Sequence, residues 1–373
     1  MFKKVATLAA VLPATRAETS SAGSRTHVSK PAISVIVINY NGARWLEPAL
    51  ASLGSQTIAD QLEVIVVDND SPDQSGELAT KLMRNLPRRQ VLRNEVNLGY
   101  GEGNNLAAKQ AQGRYLLFLN NDVWLEPDCL EQLLRVVAVT QAAAASPLIM
   151  DYVNDTIQSV GGSGFDVFGF SCGPLQCPRR PEVLVASGSA MLVERNLFQE
   201  LGGFDGQFFM YAEEYDLCWR IWLAGKKVVL APLAKLHHRG AANVNPHGHQ
   251  SVLEHRTSDT KRYYANRNNL LVLLKNCQHL LLIMVPLQIV LLAVEALVTG
   301  AVVQRWSYLR RAYLEAIRDC WRLRRHIFAE RRRVRNFRRR SDFWMLRFLQ
   351  PGLNRWQEFW RFKRFGFPKV DSK

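Results

Sequence analysis

"GRYLLFLNNDVWLEPDCL", Gly113 to Leu130, carries the change of character on which the fold turns. Tyr115 to Leu119 is almost wholly apolar. The run stops at Asn120, Asn121 and Asp122, and an apolar-periodic segment opens after Pro127. A short apolar run with polar ends reads as a buried strand, and the segment after it as a helix. Asn and Asp at such a junction bond their own backbone and make turns and caps. They have a second use. Open parallel sheets bind ligands outside the carboxyl ends of their strands, where an acid holds a divalent cation and the cation holds phosphate.

The chain upstream repeats the pattern. "ISVIVINYNG" is a strand from Ile33 that ends in Asn39, Tyr40 and Asn41, followed by a helix at about Trp45 to Leu53. "LEVIVVDNDS" is a strand that ends in Asp68, Asn69 and Asp70, followed by a helix at about Gly76 to Asn85. "QVLRNEVNLGYGEGNN" gives a short strand and a Gly/Asn loop, and a helix at about Asn104 to Gln112 leads into the quoted strand. Apolar runs alternating with helices predict β-α-β units, a mostly parallel sheet with helices on its faces. One strand ending in Asn or Asp is a turn. Three on one edge converge on a crevice, which favours a ligand site.

Downstream the pattern is less regular. "VLVASGSAMLVERNLFQELGGFDGQF" predicts a strand, a short helix and a Gly turn. "FFMYAEEYDLCWRIWLAG" predicts a helix from about Glu213 to Leu223 with an acidic first turn, as the helix dipole favours. "KKVVLAP" is a strand, with Leu236, His237 and His238 just beyond it.

Several classes are excluded. Gly99, Gly101 and Gly103 do not match G-x-G-x-x-G and do not follow the first strand, so a nicotinamide-binding domain is not expected. No G-x-x-x-x-G-K-[ST] phosphate loop is present. The six cysteines form no C-x-x-C pair, so neither a zinc site nor a disulfide framework is indicated, and a reducing, cytosolic setting fits. At 373 residues, 47% hydrophobic and 22% charged, most of the chain can form a core. Residues 1–30, with Lys3, Lys4 and a short apolar stretch broken by Thr7 and Pro13, read as a disordered leader rather than a signal peptide.

From Ile33 to His238 the ordered set of pieces "SVIVINYNG", "VIVVDNDSPD", "NLGYGEGNN", "YLLFLNND", "GSAMLVERNLFQELGGFDGQFFMYAEEYDLCWR" and "LHH" resembles the family 2 glycosyltransferases of GT-A fold, especially their rhamnosyltransferase-like branch. The resemblance covers a little over half the chain. It implies a Rossmann-like GT-A domain over 31–255 that moves a sugar from a nucleotide-sugar donor, with inversion, to a lipid-linked or cell-envelope glycan acceptor. Rhamnose is the first expectation for the sugar.

The resemblance also implies roles. Tyr40 packs on the nucleobase and Asp68 accepts from a pyrimidine N–H, while the Asn97-Leu98-Gly99 loop closes over the nucleotide. Asn39, Asn41, Asp70, Asn105 and Asn121 complete the donor site. Asp122 matches the metal-binding acid of the D-x-D element for Mg²⁺ or Mn²⁺, although Asn120 stands where stricter versions carry Asp. His237 or His238 resembles a second metal ligand. Glu214 matches the general base, with Glu213 beside it, and two carboxylates at a helix start also suit the dipole alone. Gly188, Asp216, Trp219 and Arg220 fall on the acceptor or support side. Asp216 and Arg220 are spaced for an i, i+4 pair or for contact with acceptor or diphosphate. Acceptor choice is expected within Asp151 to Pro181 and the tail.

The net charge of +15 is concentrated. Between Arg305 and Arg364 stand 19 Lys and Arg against 5 Asp and Glu, a net of +14. Basic residues exiled to a tail argue against nucleic acid at the site. The apolar run Leu280 to Val303 is long enough for a spanning helix of about 20 residues, yet Gln288, Glu295 and Thr299 fall on one helical face. Nucleotide sugars are cytosolic, and a single span would place the basic segment outside, against the positive-inside tendency. Residues 256–373 are therefore expected to form a helical, membrane-associated extension lying on the cytoplasmic leaflet and gripping anionic headgroups. A core helix capping the domain is the competing reading of the apolar run. A non-catalytic envelope-assembly scaffold that kept the fold is the competing reading of function.

Overall fold

The computed structural model describes residues 30–153, 155–161, 164–172, 180–239, 256–353 and 369–371. The expected leader, apart from Lys30, and Cys177 lie outside them. The strands β1 (Ile33–Asn39), β2 (Leu62–Asp68), β3 (Arg89–Arg93) and β4 (Tyr115–Asn120) form the parallel half of one sheet, in the order β3-β2-β1-β4. Ile33 lies opposite both Leu62 and Tyr115. The crossovers are α1 (Ala43–Gly54), α2 (Ser75–Leu82) and α3 (Gly99–Gln110). Alternate side chains of β1 serve opposite faces. Val35 and Val37 join Leu46 and Leu50 of α1, whereas Ile36 joins Ala107 of α3. Helices on both faces explain why these strands read as continuous apolar runs.

The second half comprises β5 (Val123–Leu125), α4 (Cys129–Thr140), β6 (Ala144–Asp151), β7 (Ile157–Ser159), β8 (Ala190–Glu194), α5 (Arg195–Leu201), α6 (Glu213–Leu223) and β9 (Val228–His238). The sheet continues β4-β8-β6-β9-β5, with β7 on β6. The strands β5, β7 and β8 run against the rest, so the expected mostly parallel sheet is mixed in this half. As a result β1, β2, β4, β6 and β9 all end on one edge. The segment entering β8 starts there, with Asn120 N donating to Ser189 O at 3.0 Å.

Two boundaries differ from expectation. The Gly99–Gly103 stretch is the first turn of α3, not a loop. A Cβ on Gly101 would lie 3.1 Å from Cβ of Phe204, and one on Gly103 2.5 Å from Cδ1 of Ile38. These glycines let the helix approach its neighbours closely. The strand β9 also runs through His237 and His238, because both pair with β5.

After Arg256 come α7 (Asp259–Asn276), α8 (Met284–Val303), a helical run over 306–322 and α9 (Arg324–Phe337). Leu271, Val272, Met284, Ile327 and Val334 belong to the same core as Phe118, Leu217 and Trp222. The extension thus shares the main core. The helix α7 buries an unusual set of polar side chains: Asn266, Arg267, Asn268, Lys275 and Asn276.

On α8, Gln288 and Leu292 are fully buried, and Gln288 Nε2 donates to Gly169 O at 2.8 Å. Glu295 meets Arg262 at 3.2 Å and Tyr313 at 3.0 Å, and Thr299 lies 3.3 Å from the Tyr313 hydroxyl. The face shared by Gln288, Glu295 and Thr299 is therefore the protein-facing one. Ile283, Leu287, Val290, Val294, Leu297 and Val298 are exposed on the outside. By length and composition alone, residues 281–303 suffice to cross a membrane.

Candidate active site

The centre of the strand-end edge is Asn39, buried on the middle strand β1. Its amide nitrogen lies 3.3 Å from Asp68 Oδ1 and donates to Ser75 Oγ at 2.7 Å. Its oxygen accepts from Asn121 Nδ2 at 2.8 Å. One side chain thus ties the ends of β2 and β4 together. Gly42, not singled out in the sequence, makes room for it. A Cβ there would sit 1.9 Å from Asn121 Nδ2 and 2.2 Å from Asn39 Oδ1. Tyr40 and Asn41 stand exposed at the rim, with Asn41 and Asp70 in left-handed backbone.

The residue between Asp68 and Asp70 organises the next loop. Asn69 donates to Asn97 Oδ1 at 2.9 Å and to Gly99 O at 3.1 Å, and accepts from Asn94 Nδ2 and Leu98 N. Asn97 Oδ1 also accepts from Gly99 N at 2.9 Å. Asn69 is buried and had no expected role; its flanking acids drew the reading. Asn105 departs from expectation. Its amide accepts from Phe204 N at 2.9 Å and donates to Phe204 O at 2.8 Å, so it ties α3 to the 203–204 turn instead of facing the donor crevice.

Asp122 is buried just past Asn121, and His238 Nε2 lies 3.4 Å from its Oδ1. Neighbouring strand residues face opposite sides. His237 accordingly turns away to Glu126 at 3.0 Å and packs at a tilt against Trp124, with ring centroids 4.8 Å apart. The strand alternation separates the tandem histidines, and only His238 shares a site with Asp122. No cluster of three or more His, Cys, Asp or Glu that could cage a metal occurs among the described residues. One carboxylate and one imidazole suit a divalent cation that fills its other positions with phosphate oxygens and water.

Across the crevice α6 presents Glu213 and Glu214. Gly188 lies against Glu214, since a Cβ there would come within 3.1 Å of Glu214 Oε1. Gly188 O accepts from the Tyr100 hydroxyl at 2.8 Å. Burial pushes the Glu214 carboxyl up to about 7. Burial and the neighbouring Glu214 hold Glu213 well above the ordinary range, and Glu213 Oε1 is buried with no hydrogen-bond partner among the described residues.

Asp216 and Arg220 form the i, i+4 pair, at 2.7 Å, and both are buried. Arg220 also donates to Leu201 O and Gly203 O, while Asp216 meets Lys275 at 3.1 Å and Asn276 at 2.8 Å. Trp219 packs on Phe165 in the core. These three residues are buried and make their contacts within the protein core.

The glycosyl transferase family 2 model matches residues 34–202. The N-acetylglucosaminyl-diphospho-decaprenol L-rhamnosyltransferase of Mycobacterium tuberculosis is 30% identical over 235 residues, covering 55% of this chain and 75% of that protein. The Bacillus subtilis protein EpsH is 36% identical over 105 residues, covering 28% of this chain but only 30% of its own length. Among solved structures, the mannosyltransferase PcManGT of Pyrobaculum calidifontis, in complex with GDP-Man and Mn²⁺, superposes with a TM-score of 0.51 at 18% identity, over 78% of this chain and 86% of that one. TarS 1–349 of S. aureus, in complex with UDP, gives 0.51 at 17% identity, over 82% and 88%. With its strand-end crevice and these likenesses, the chain is a glycosyltransferase of GT-A fold and belongs to glycosyl transferase family 2.

Proposed function

We propose that the enzyme transfers a deoxyhexose, rhamnose first, from a nucleoside-diphosphate donor to a lipid-diphosphate-linked glycan, with inversion at the anomeric carbon. The observation that carries this reading is the gathering of Tyr40, Asp68, Asn121, Asp122, His238 and Glu214 on one strand-end edge. Tyr40 and the Asn97–Gly99 turn hold the nucleoside, with Asp68 accepting from its base. Asp122 and His238 would hold Mg²⁺ or Mn²⁺, which supplies positive charge against the leaving diphosphate. Glu214 takes the proton of the acceptor hydroxyl. The hydroxyl oxygen then bonds to the anomeric carbon as the carbon–oxygen bond to the diphosphate breaks. A carboxyl poised near 7 is well matched to that step. The name of the mycobacterial relative supports the choice of sugar and acceptor.

The extension gives the enzyme its place. Residues 31–255 carry the chemistry and 256–373 hold it, peripherally, at the cytoplasmic membrane face. The inner face of α8 is committed to protein from Gln288 to Thr299, so only its outer stripe is free for lipid. Phe343 follows Asp342, which accepts from Gln278 N and Leu281 N at the start of that stripe, and Trp306 stands just past its end. Both aromatics are exposed, and the adjoining 305–364 segment carries the net +14. Aromatic ends and a basic flank are what an in-plane helix on an anionic bilayer uses. The described part of 151–181 reaches from Asp151, opposite His238, to Gly169 under α8, which joins the crevice to the lipid side.

The test is transfer from a panel of nucleotide sugars to a polyprenyl-diphosphate-N-acetylglucosamine acceptor in anionic vesicles. The expected result is turnover with dTDP-rhamnose, dependent on Mg²⁺ or Mn²⁺ and reduced on the order of 100-fold or more in Glu214→Gln. Turnover with Glu214→Gln at the wild-type rate would overturn the assignment of the base. Exclusive use of another sugar would overturn the donor.

A further inference from the structure

The turn that delivers Glu213 and Glu214 is unusual. Phe209, Tyr211 and Ala212 all have left-handed backbone, with φ of 64°, 68° and 69°, and none is glycine. Each costs of order 1 kcal/mol or more and persists only where its surroundings impose it. Here the surroundings can be named. The helix α7 lies against the turn, and Asn268, fully buried, donates its amide to Phe208 O at 3.0 Å, Met210 O at 2.8 Å and Tyr211 O at 2.8 Å. Arg267 donates to Gln207 O and to Phe208 O. Its Nε donates at 2.9 Å to Asn268 Oδ1, which leaves the Asn268 amide nitrogen facing the turn. The remaining carbonyl, Phe209 O, accepts from Tyr100 N at 2.7 Å, at the start of α3. Phe209 also stacks on Tyr264 of α7 at 5.3 Å. Carbonyls 207 to 211 are therefore all occupied, two of the three clamping groups coming from the C-terminal extension.

We propose that Arg267 and Asn268 are positioning residues for the transfer reaction: they hold the 207–212 turn in the one conformation that aims the Glu214 carboxyl at the acceptor hydroxyl. The extension thus completes the active site as well as carrying the membrane face. The inference rests on the reading of Glu214 as the base. It assigns no contact with substrate to either residue. The same turn is bonded to Tyr100 beside the donor loop, so the clamp also fixes the distance between donor and base.

The experiment compares Asn268→Asp, Asn268→Leu and Arg267→Lys with wild type in full-length protein, with Glu214→Gln as the control. Asn268→Asp keeps the shape but sets a carboxylate against three carbonyls. Arg267→Lys keeps the charge but loses the fork that orients Asn268. A displacement of about 1 Å in a reacting group costs on the order of 100-fold. The expected result is kcat down roughly 10- to 100-fold in all three, with the donor KM within about 2-fold of wild type. The acid limb of the pH–kcat/KM profile should also leave its wild-type position, because the burial of Glu214 changes with the turn. Nucleotide binding by thermal shift reports that each variant is folded. Variants that lose melting temperature but keep wild-type kcat and pH profile would overturn the proposal, leaving the clamp a stabilising contact only. If Glu214→Gln turns over normally, the base assignment is what fails.

Discussion

Replacing Glu214 by Gln should make the protein more stable as it slows turnover, and only on the alkaline side. In the fold, burial raises this carboxyl from about 4.5 to about 7. Below pH 4.5 it is protonated in both folded and unfolded chains, and the fold bears no penalty. Between 4.5 and 7 the unfolded chain releases the proton and the folded one keeps it, so stability falls as pH rises; above 7 the loss is complete. The gap of about 2.5 pH units sets a ceiling of about 3.4 kcal/mol. Glu213 lowers the realised value, because it shares the burial and rearranges its own proton when its neighbour is neutralised. We expect Glu214→Gln to exceed wild type by about 1–3 kcal/mol at pH 8, or about 2–6 °C in Tm, and by less than about 0.5 kcal/mol near pH 4.5. Denaturant melts at the two pH values, beside kcat, make the assay. Turnover should fall on the order of 100- to 10,000-fold, and wild-type kcat/KM should rise with pH through an apparent value near 7. A variant no more stable than wild type at pH 8, or equally stabilised at both pH values, would show that Glu214 carries no buried ionisation cost, and the argument for a tuned base would go with it.

Gly42→Ala should disable donor binding without unfolding the sheet. The added methyl overlaps the Asn39–Asn121 bond, at a cost of about 1–3 kcal/mol, and the stabilisation by nucleotide in a thermal-shift titration should disappear while the apo melt remains cooperative. Mn²⁺ should raise the melting temperature of wild type and of His237→Ala in the presence of nucleoside diphosphate, but not that of His238→Ala or Asp122→Asn; equal loss in the two histidine variants would contradict the alternation of β9. Val290→Asp with Leu297→Asp changes two exposed positions and should leave stability within about 0.5 kcal/mol. Co-sedimentation with anionic vesicles should nevertheless fall roughly 10-fold or more, since each carboxylate enters the lipid stripe. Unchanged sedimentation that also resists high salt and alkaline carbonate would mark α8 as a spanning helix.

The parts of this site that could be read from sequence are those whose information is local. The ends of β1, β2 and β4 are announced by an apolar run that breaks into Asn or Asp, because both strand burial and edge exposure are properties of that same stretch. The spacing of Gln288, Glu295 and Thr299 is likewise fixed by the helix that bears them, although which face meets protein depends on Gly169 and Tyr313, far away in the chain. Features fixed by distant partners have the opposite character. Asn105 stands among donor-loop residues, yet its partner is Phe204, and nothing near position 105 encodes that. The roles of His237 and His238 depend on a pairing with β5 that extends β9 past the point where its apolar run thins. The clearest case is α7. A helix carrying Asn266, Arg267, Asn268, Asn269, Lys275 and Asn276 looks solvent-facing by composition, since such groups cost several kcal/mol to bury without partners. They are buried because the partners exist: the carbonyls of a left-handed turn and the carboxylates of Asp205 and Asp216. Polar residues become core residues when the opposing surface is unsatisfied backbone, and a turn with three left-handed non-glycine residues in four is such a surface. That strain lies directly before the two carboxylates of α6, so the helix that buries these polar side chains is packed where the chemistry needs a rigid turn.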